Sequence, residues 1–395
     1  MKHFGLKISF IFLASVSLAK AQENIAPADL SSSILASKEK KLNIGGYGQV
    51  DFSKPIISGT ETTASIDVHR LVLSFGYNFS EKTQFYSEVE FEHVKELFVE
   101  QAFLHHSFND YIAFRAGLML VPMGIINEYH EPPTFNGVNR PDVDYIIVPT
   151  TWREIGAGFT GRFQEAGLKY QVYIFNGFKS YDGTEGLITG SKFLRDGRQK
   201  GAESIMNSPN LSAKLDYFGI PGLKLGLSGY SGKTESSLYN NLDKSDNIAI
   251  AFADSSILKI NMAGFDIRYQ KSGFSLRGEY IISSIHNSDE YNAFTGNDVG
   301  RSVNGLYAEV AYNVLTLTSS SHQLTPFFRF EHYDTHFRVD INTSKQDEYN
   351  INEVVFGIGW KLTEGTVIKA DMQLTKSKAD VSYNKLFNAG IGISF

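Results

Sequence analysis

The amino-acid sequence predicts an all-β fold, a transmembrane antiparallel β-barrel of about sixteen strands. Three observations predict it: stretches of roughly ten residues in which apolar and polar positions alternate, connections that alternate between short and long, and an amphipathic last strand, Lys385–Phe395. In that strand Phe387 and Ile391 share one face with Phe395, and Asn388 lies on the other. A strand with one fully apolar face is typical of a barrel whose outer surface meets lipid.

The N-terminus predicts export. Residues 1–21 form a signal peptide: Lys2 and Lys7 make the start basic, the apolar run Ile8–Leu18 follows, and Ala19–Ala21 provides a small-residue cleavage site. Residues 22–42 form a polar periplasmic leader, either a short helix or a disordered segment, and residues 43–395 form the barrel.

The alternation is clearest in Asp67–Phe79. Leu71, Leu73 and Phe75 occupy one face, and Arg70 occupies the other. Shifting the register by one residue would turn the charged side chains toward lipid, so the facing is well determined. Only Leu97–Phe108 alternates poorly, and its facing is left open.

Composition excludes several other classes. The formal net charge is −6 before export and becomes more negative when the three lysines of the signal peptide are removed, so binding to nucleic acid is not expected. Cysteine is absent, so stability must come from the closed barrel rather than from disulfides.

One long connection, residues 122–151, contains five of the ten prolines. A loop of this length without regular structure is usually functional or disordered, and its aromatic, Asn and Pro content argues for a folded loop. We expect it to bend into the lumen and constrict the pore. Charged residues that it carries or flanks are Glu128, His130, Glu131, Arg140 and Arg153.

Three segments carry a resemblance to a known family: FVEQAFLHHSF, FRAGLMLVPMG and the proline-rich stretch from Val121 to Gly156. Together they resemble the phosphate-selective porin O and P family, particularly its Bacteroidetes-type members. The resemblance extends from about Gly45 to Phe395. It implies a sixteen-stranded, often trimeric outer-membrane porin with an inward-folded third loop, whose best-known members select anions with Arg and Lys in the channel.

The alternation also turns charged side chains of the wall toward the lumen. The pore-lining set predicted from the wall is Arg70, Arg115, Arg162, Arg268, Glu88, Glu90 and Glu92. One hypothesis is a basic ladder opposite an acidic wall, which sets ion preference. The other is bracing by cross-strand ion pairs, which suits the alternating pairs Arg277/Glu279, Arg329/Glu331 and Lys369/Asp371.

Enzyme chemistry and cofactors are not expected. Glu128, His130 and Glu131, or His105 with His106, lack the tight spacing typical of metal clusters, so no metal site is predicted. Neither the Ser107 nor the Ser321 neighbourhood offers a nucleophile, a base and a third orienting group.

The sequence therefore predicts a passive diffusion channel for small hydrophilic solutes or ions in the outer membrane of a Gram-negative bacterium, which the resemblance suggests prefers anions or phosphate. The alternatives are a substrate-specific uptake channel for another anion or a sugar acid, and a plugged barrel that acts as a binding or scaffold protein. Expected partners are membrane lipid and lipopolysaccharide, the barrel-assembly machinery, for which Phe395 is the signal, and further copies in a possible homotrimer.

Overall fold

The computed structural model describes residues 30–395, so the expected signal peptide lies outside the described residues. Sixteen antiparallel strands close into one barrel, which confirms the predicted fold class. The barrel strands are β1 (Leu42–Ile56), β2 (Ser65–Asn78), β3 (Thr83–Glu92), β4 (Glu96–Ser107), β5 (Ala113–Leu120), β6 (Arg153–Phe163), β7 (Leu168–Phe175), β9 (Asn210–Ile220), β10 (Leu223–Lys233), β12 (Lys259–Lys271), β13 (Phe274–His286), β14 (Ser302–Tyr312), β15 (Gln323–Arg338), β16 (Asn350–Thr363), β17 (Thr366–Ser377) and β18 (Asn384–Ser394).

The barrel closes by pairing its first and last strands. β1 pairs with β2 on one side and with β18 on the other, and Tyr47 lies opposite Ser394. Gly46 and Phe395 exchange two backbone hydrogen bonds of 2.9 Å each. Closure leaves no free sheet edge, which a membrane-spanning sheet requires because lipid offers no hydrogen-bond partners.

The two faces of the wall differ sharply in chemistry. On the outer face large apolar side chains are exposed, among them Ile44 at 61% and Ile391 at 49%. On the inner face charged side chains are buried, among them Asp266 at 1% and Glu331 at 0%. This arrangement, apolar outside and charged inside, is typical of a barrel that spans a membrane.

The connections sort onto two ends. The short-turn end carries residues 79–82, 108–112, 164–167, 221–222, 272–273, 313–322 and 364–365. The long-connection end carries residues 57–64, 93–95, 121–152, 176–209, 234–258, 287–301, 339–349 and 378–383.

Within the described residues, four α-helices, five short 3₁₀ helices and a two-stranded sheet form no part of the barrel wall. The helices are α1 (Leu30–Ala36), α2 (Asp142–Ile146), α3 (Asn247–Asp254) and α4 (Ser288–Thr295). Two short strands, β8 (Lys179–Tyr181) and β11 (Glu235–Ser236), pair in parallel above the long-connection end. No helix within residues 30–395 has the length and apolar character needed to cross a membrane.

The weak alternation of Leu97–Phe108 has a local cause. Glu88 pairs with Gln101, but the next residue, Val89, pairs with Val99, so Glu100 is an extra residue on β4. A β-bulge of this kind breaks the period of two and re-aims side chains. Glu100 and Gln101 consequently both lie buried, at 0% and 4% exposure.

Candidate functional site

The loop between β5 and β6 folds into the barrel and is tied at its base. Val121 donates its amide to the carbonyl of Trp152 at 3.0 Å. The amide side chain of Asn127 donates to both of those residues' carbonyls, at 2.7 and 3.0 Å, and accepts from the Trp152 amide at 2.7 Å. One asparagine thus closes the neck of the loop, and we call residues 121–152 the lumen loop.

The tip of the lumen loop reaches β17. The backbone amide of Val138 donates to the carboxylate of Asp371 at 2.6 Å. The ammonium group of Lys369 donates to the carbonyls of Phe135 and Gly137, at 2.6 and 2.8 Å. Asp371 and Lys369, two residues apart on β17, therefore bind one amide and two carbonyls of the loop backbone.

Charged side chains of the wall between these two regions bind the loop backbone and also pair with one another. Glu279 accepts from the amide of Ile125 at 2.7 Å, and Glu331 accepts from the amide of Val143 at 3.1 Å. Arg329 forms ion pairs with Glu331 at 2.7 Å and with Glu309 on β14 at 3.5 Å. Cross-strand pairing and loop docking therefore use the same inward charges.

The first part of the loop contacts β7 and β9. Glu128 accepts from Lys214 at 2.7 Å and from Gln171 at 2.6 Å, and Lys169 lies 4.0 Å from it. The ammonium group of Lys214 also donates to the carbonyl of Gly124. Glu128 is therefore surrounded by positive charge at the loop's root.

A second group of contacts joins His130 to the wall. The Nδ1 atom of His130 lies 3.2 Å from the carbonyl of Asn127, and its Nε2 atom lies 2.9 Å from the hydroxyl of Tyr47. That hydroxyl donates to Glu100 at 3.0 Å, and the Nε2 atom is 3.7 Å from Glu100 Oε1. The sequence offered no sign of Glu100, because the bulge hides its facing.

The other predicted pore-lining residues lie at varied depths. Six are buried, and Arg70 for example lies 3.4 Å from Glu90. Arg140 donates to the carbonyl of His130 at 3.2 Å. Buried members of the set are Arg70, Glu88, Glu90, Glu131, Arg153 and Arg268; Arg115, Glu92 and Arg140 are half-buried; and Arg162 is exposed near the short-turn end. Whether they contact solute stays a prediction.

Helix α1 lies inside the barrel at the short-turn end. Its first amide, on Leu30, donates to Glu131 of the lumen loop at 2.7 Å, and the carbonyl of Leu35 accepts from Gln84 of β3 at 2.9 Å. Gly76 makes room for the helix, since a Cβ atom there would lie 2.2 Å from Ile34 Cγ2. The part of the predicted leader that is described thus occupies the lumen.

A polar cavity remains between α1, the lumen loop and the wall. It lies against β4, β5 and β7, and both basic and acidic groups face it. Its lining is Ser31, Ser32, Gln101, Phe103, Arg115, Met119, Leu120, Glu128, Lys169, Gln171 and Tyr173.

The lumen loop also carries a buried acid, Asp144 on α2. Burial raises the pKa of Asp144 to about 7, against the opposing effect of the Ile126 amide, which donates to the carboxylate at 3.3 Å. The carboxyl group of Asp144 therefore exchanges its proton near neutral pH, so the charge of the lumen loop depends on pH in this range.

Comparisons with known proteins place this architecture. No family model matches the sequence. An uncharacterized protein of Aquifex aeolicus is 31% identical over 362 residues, covering 89% of this chain and 80% of that protein.

Solved structures with the same architecture are outer-membrane proteins of low sequence identity. An anion-selective porin from Comamonas acidovorans superposes with a TM-score of 0.57 at 11% identity, covering 90% of this chain and 99% of that one. OprB of Pseudomonas putida superposes with a TM-score of 0.56 at 10% sequence identity, covering 92% of this chain and 95% of that one. The trimer form of OmpT of Vibrio cholerae superposes with a TM-score of 0.51 at 10% identity, covering 90% of this chain and 100% of that one. The fold is that of the porins, and the chain belongs to the same protein family as the Aquifex aeolicus protein.

Proposed function

We propose that the protein is a passive diffusion channel of the outer membrane for small hydrophilic solutes or ions. The observation that carries the proposal is a closed barrel whose outer wall is apolar, whose inner wall is charged, and whose lumen is narrowed by a folded loop. Sixteen-stranded barrels of this kind enclose an aqueous channel. The short-turn end then faces the periplasm and the long connections face the outside.

We place the solute route at the cavity between α1, the lumen loop and the wall. Arg115 contributes positive charge to it, whereas the negative charge of Glu128 faces two lysines, Lys214 at 2.7 Å and Lys169 at 4.0 Å. Charged side chains in a pore set ion preference. The balance supports the anion preference that the resemblance to phosphate-selective porins implies.

Several accompanying expectations belong to the same proposal. Export through the signal peptide, recognition of Phe395 by the assembly machinery, contact with lipopolysaccharide and homotrimer formation all suit an outer-membrane porin. The porin-like fold itself offers a channel rather than a catalytic cleft.

One observation favours a second candidate, a plugged barrel that binds a partner. The lumen loop contacts the wall from β9 to β17, and α1 fills part of the short-turn end. A substrate-specific uptake channel for an anion or sugar acid lies between the two, since a tight route favours one solute.

Planar-bilayer recording separates these candidates. A channel gives stepwise single-channel conductance, and the reversal potential in a KCl gradient reports its ion preference. A substrate-specific channel gives small steps that a particular anion blocks. Purified folded protein that inserts without conducting at any voltage would contradict the channel and leave the plugged barrel.

A further inference from the structure

Three buried side chains from separate segments meet where the lumen loop touches β3 and β4. Glu88 lies on β3, Glu100 on β4 and His130 on the loop, with exposures of 1%, 0% and 2%. One ligand atom from each lies within 4.8 Å of the others. We propose that Glu88, Glu100 and His130 form a binding site for a divalent transition-metal ion of the Zn²⁺ class.

Each of the three ligands is oriented by a partner of its own. The Nδ1 atom of His130 lies 3.2 Å from the carbonyl of Asn127, which places Nε2 on the side of Tyr47 and Glu100, 2.9 and 3.7 Å away. A bound ion would take the place of the Nε2 proton that the Tyr47 hydroxyl accepts. Tyr47 donates to Glu100 at 3.0 Å, and Gln101 donates to Glu88 at 2.8 Å. Outer hydrogen bonds that fix the ligands are characteristic of metal sites in proteins.

One ligand atom is left open toward the centre of the cluster. Within residues 30–395, Glu100 Oε1 has no hydrogen-bond partner although its side chain is fully buried. The Nε2 atom of His130 lies 3.7 Å from it, beyond hydrogen-bonding distance. A buried carboxylate oxygen without a donor is costly, and a cation between the two atoms would satisfy it.

The bulge on β4 supplies a reason for this arrangement. The regular partner of Glu88 across the strands is Gln101, and the inserted residue Glu100 adds a second carboxylate on the inner side. Bulges are common next to functional sites because they re-aim a side chain. Here the bulge brings two carboxylates under one imidazole.

The donor set indicates the class of metal. An imidazole with two carboxylates suits Zn²⁺ and its first-row neighbours, while Ca²⁺ and Mg²⁺ take oxygen ligands only. Two ligands at the usual Zn²⁺ bond lengths on a tetrahedral ion are about 3.4 Å apart. The 3.7 Å between His130 and Glu100 needs little adjustment to reach that spacing.

A bound ion would tie the lumen loop to the wall, because His130 belongs to the loop and both glutamates belong to strands. The site would thereby hold the loop on the side where β3 and β4 pair. This inference does not depend on conduction, and a plugged barrel would carry the same site.

The test is metal binding by the full-length mature chain refolded in detergent. The protein is stripped with chelator, refolded with Zn²⁺, desalted and analysed for metal content, and then titrated with Zn²⁺ by calorimetry. Mg²⁺ and Ca²⁺ serve as further probes, and cooperative unfolding establishes that each variant is folded.

We expect one Zn²⁺ per chain in the unaltered protein and loss of that ion in Glu100→Gln and His130→Asn. Tyr47→Phe keeps the ligands but removes an orienting hydroxyl, so we expect affinity to fall about tenfold or more. The matched controls Glu96→Gln on the exposed start of β4 and His286→Asn on an exposed strand end retain the ion.

Absence of stoichiometric Zn²⁺ in the folded protein would overturn the proposal. So would binding that Glu100→Gln and His130→Asn leave unchanged, or equal binding of Ca²⁺. If both of those variants fail to fold, the Tyr47→Phe result decides, and unchanged affinity there contradicts the site.

Discussion

The backbone amide of Val138 at the tip of the lumen loop donates to the carboxylate of Asp371 on β17 at 2.6 Å, across 233 positions of the chain. The barrel wall thus positions the loop through single charged groups, and single substitutions can test that positioning.

Removing the carboxylate of Asp371 should loosen the loop. A hydrogen bond to a charged group contributes roughly 1.5–3 kcal/mol, so Asp371→Ala should lower the free energy of unfolding by about 2 kcal/mol in detergent. Single-channel conductance should rise and become noisier. Glu364→Ala, in an exposed short turn, is the control, and an equal effect there would contradict a specific role for Asp371.

Fixing helix α1 in the lumen should lower conductance. The chain contains no cysteine, so the double variant Ile34→Cys/Gly76→Cys offers a single possible disulfide, between positions in direct contact. Oxidised protein should conduct less than the same protein after reduction, because the helix cannot leave the route. Each single-cysteine variant is a control that should not respond to reductant, and equal conductance in both states of the double variant would show that α1 does not limit flow.

The cavity lining should set ion preference. Arg115 faces the cavity, and its Nε atom donates to His105 Nδ1 at 3.1 Å. Arg115→Ala should shift the reversal potential in a KCl gradient toward cations. Arg338→Ala removes an exposed arginine at the long-connection end and should leave the potential unchanged. If the ions pass through another part of the lumen, Arg115→Ala and Arg338→Ala will give the same reversal potential.

Asp144 should make stability depend on pH. Its pKa is raised in the folded protein to about 7, whereas in an unfolded chain it is about 3.9. The folded state therefore keeps a proton that the unfolded state releases, so this contribution is fully present below about pH 4 and is lost as the pH rises to about 7.

The matching experiment compares urea unfolding at pH 5 and pH 8. Asp144→Asn cannot release a proton, so its stability should fall less between these two pH values than that of the unaltered protein. Asp110→Asn, in an exposed turn, should behave like the unaltered protein. Identical pH dependence in all three proteins would mean that Asp144 does not titrate in this range.

The facing of the wall side chains was predictable because apolar and polar residues must alternate with a period of two in a membrane-spanning strand. Leu71 and Ser74 reveal their facing within one strand, and no distant contact is needed to read it. Alternation fails only where geometry departs from that period, as at Glu100, where one inserted residue shifts the pattern.

The contents of the lumen were only partly predictable. The prolines and aromatics of residues 122–151 indicate a folded loop, but its partners, such as Lys369 and Asp371, lie far away in sequence and carry no local mark. Helix α1 was left between two alternatives because a seven-residue helix has little intrinsic stability. The helix fits against the wall because Gly45 and Gly76 have no side chains there.

The docking of the lumen loop on β17 has a consequence for the order of assembly. The bonds from Lys369 to Phe135 and Gly137 span 234 and 232 positions, and the pairing of β1 with β18 spans nearly the whole described chain. Contacts between residues this far apart in sequence form late, because a large loop of chain must close first. During synthesis the loop emerges long before β17, so the lumen acquires its final width only when the wall is complete.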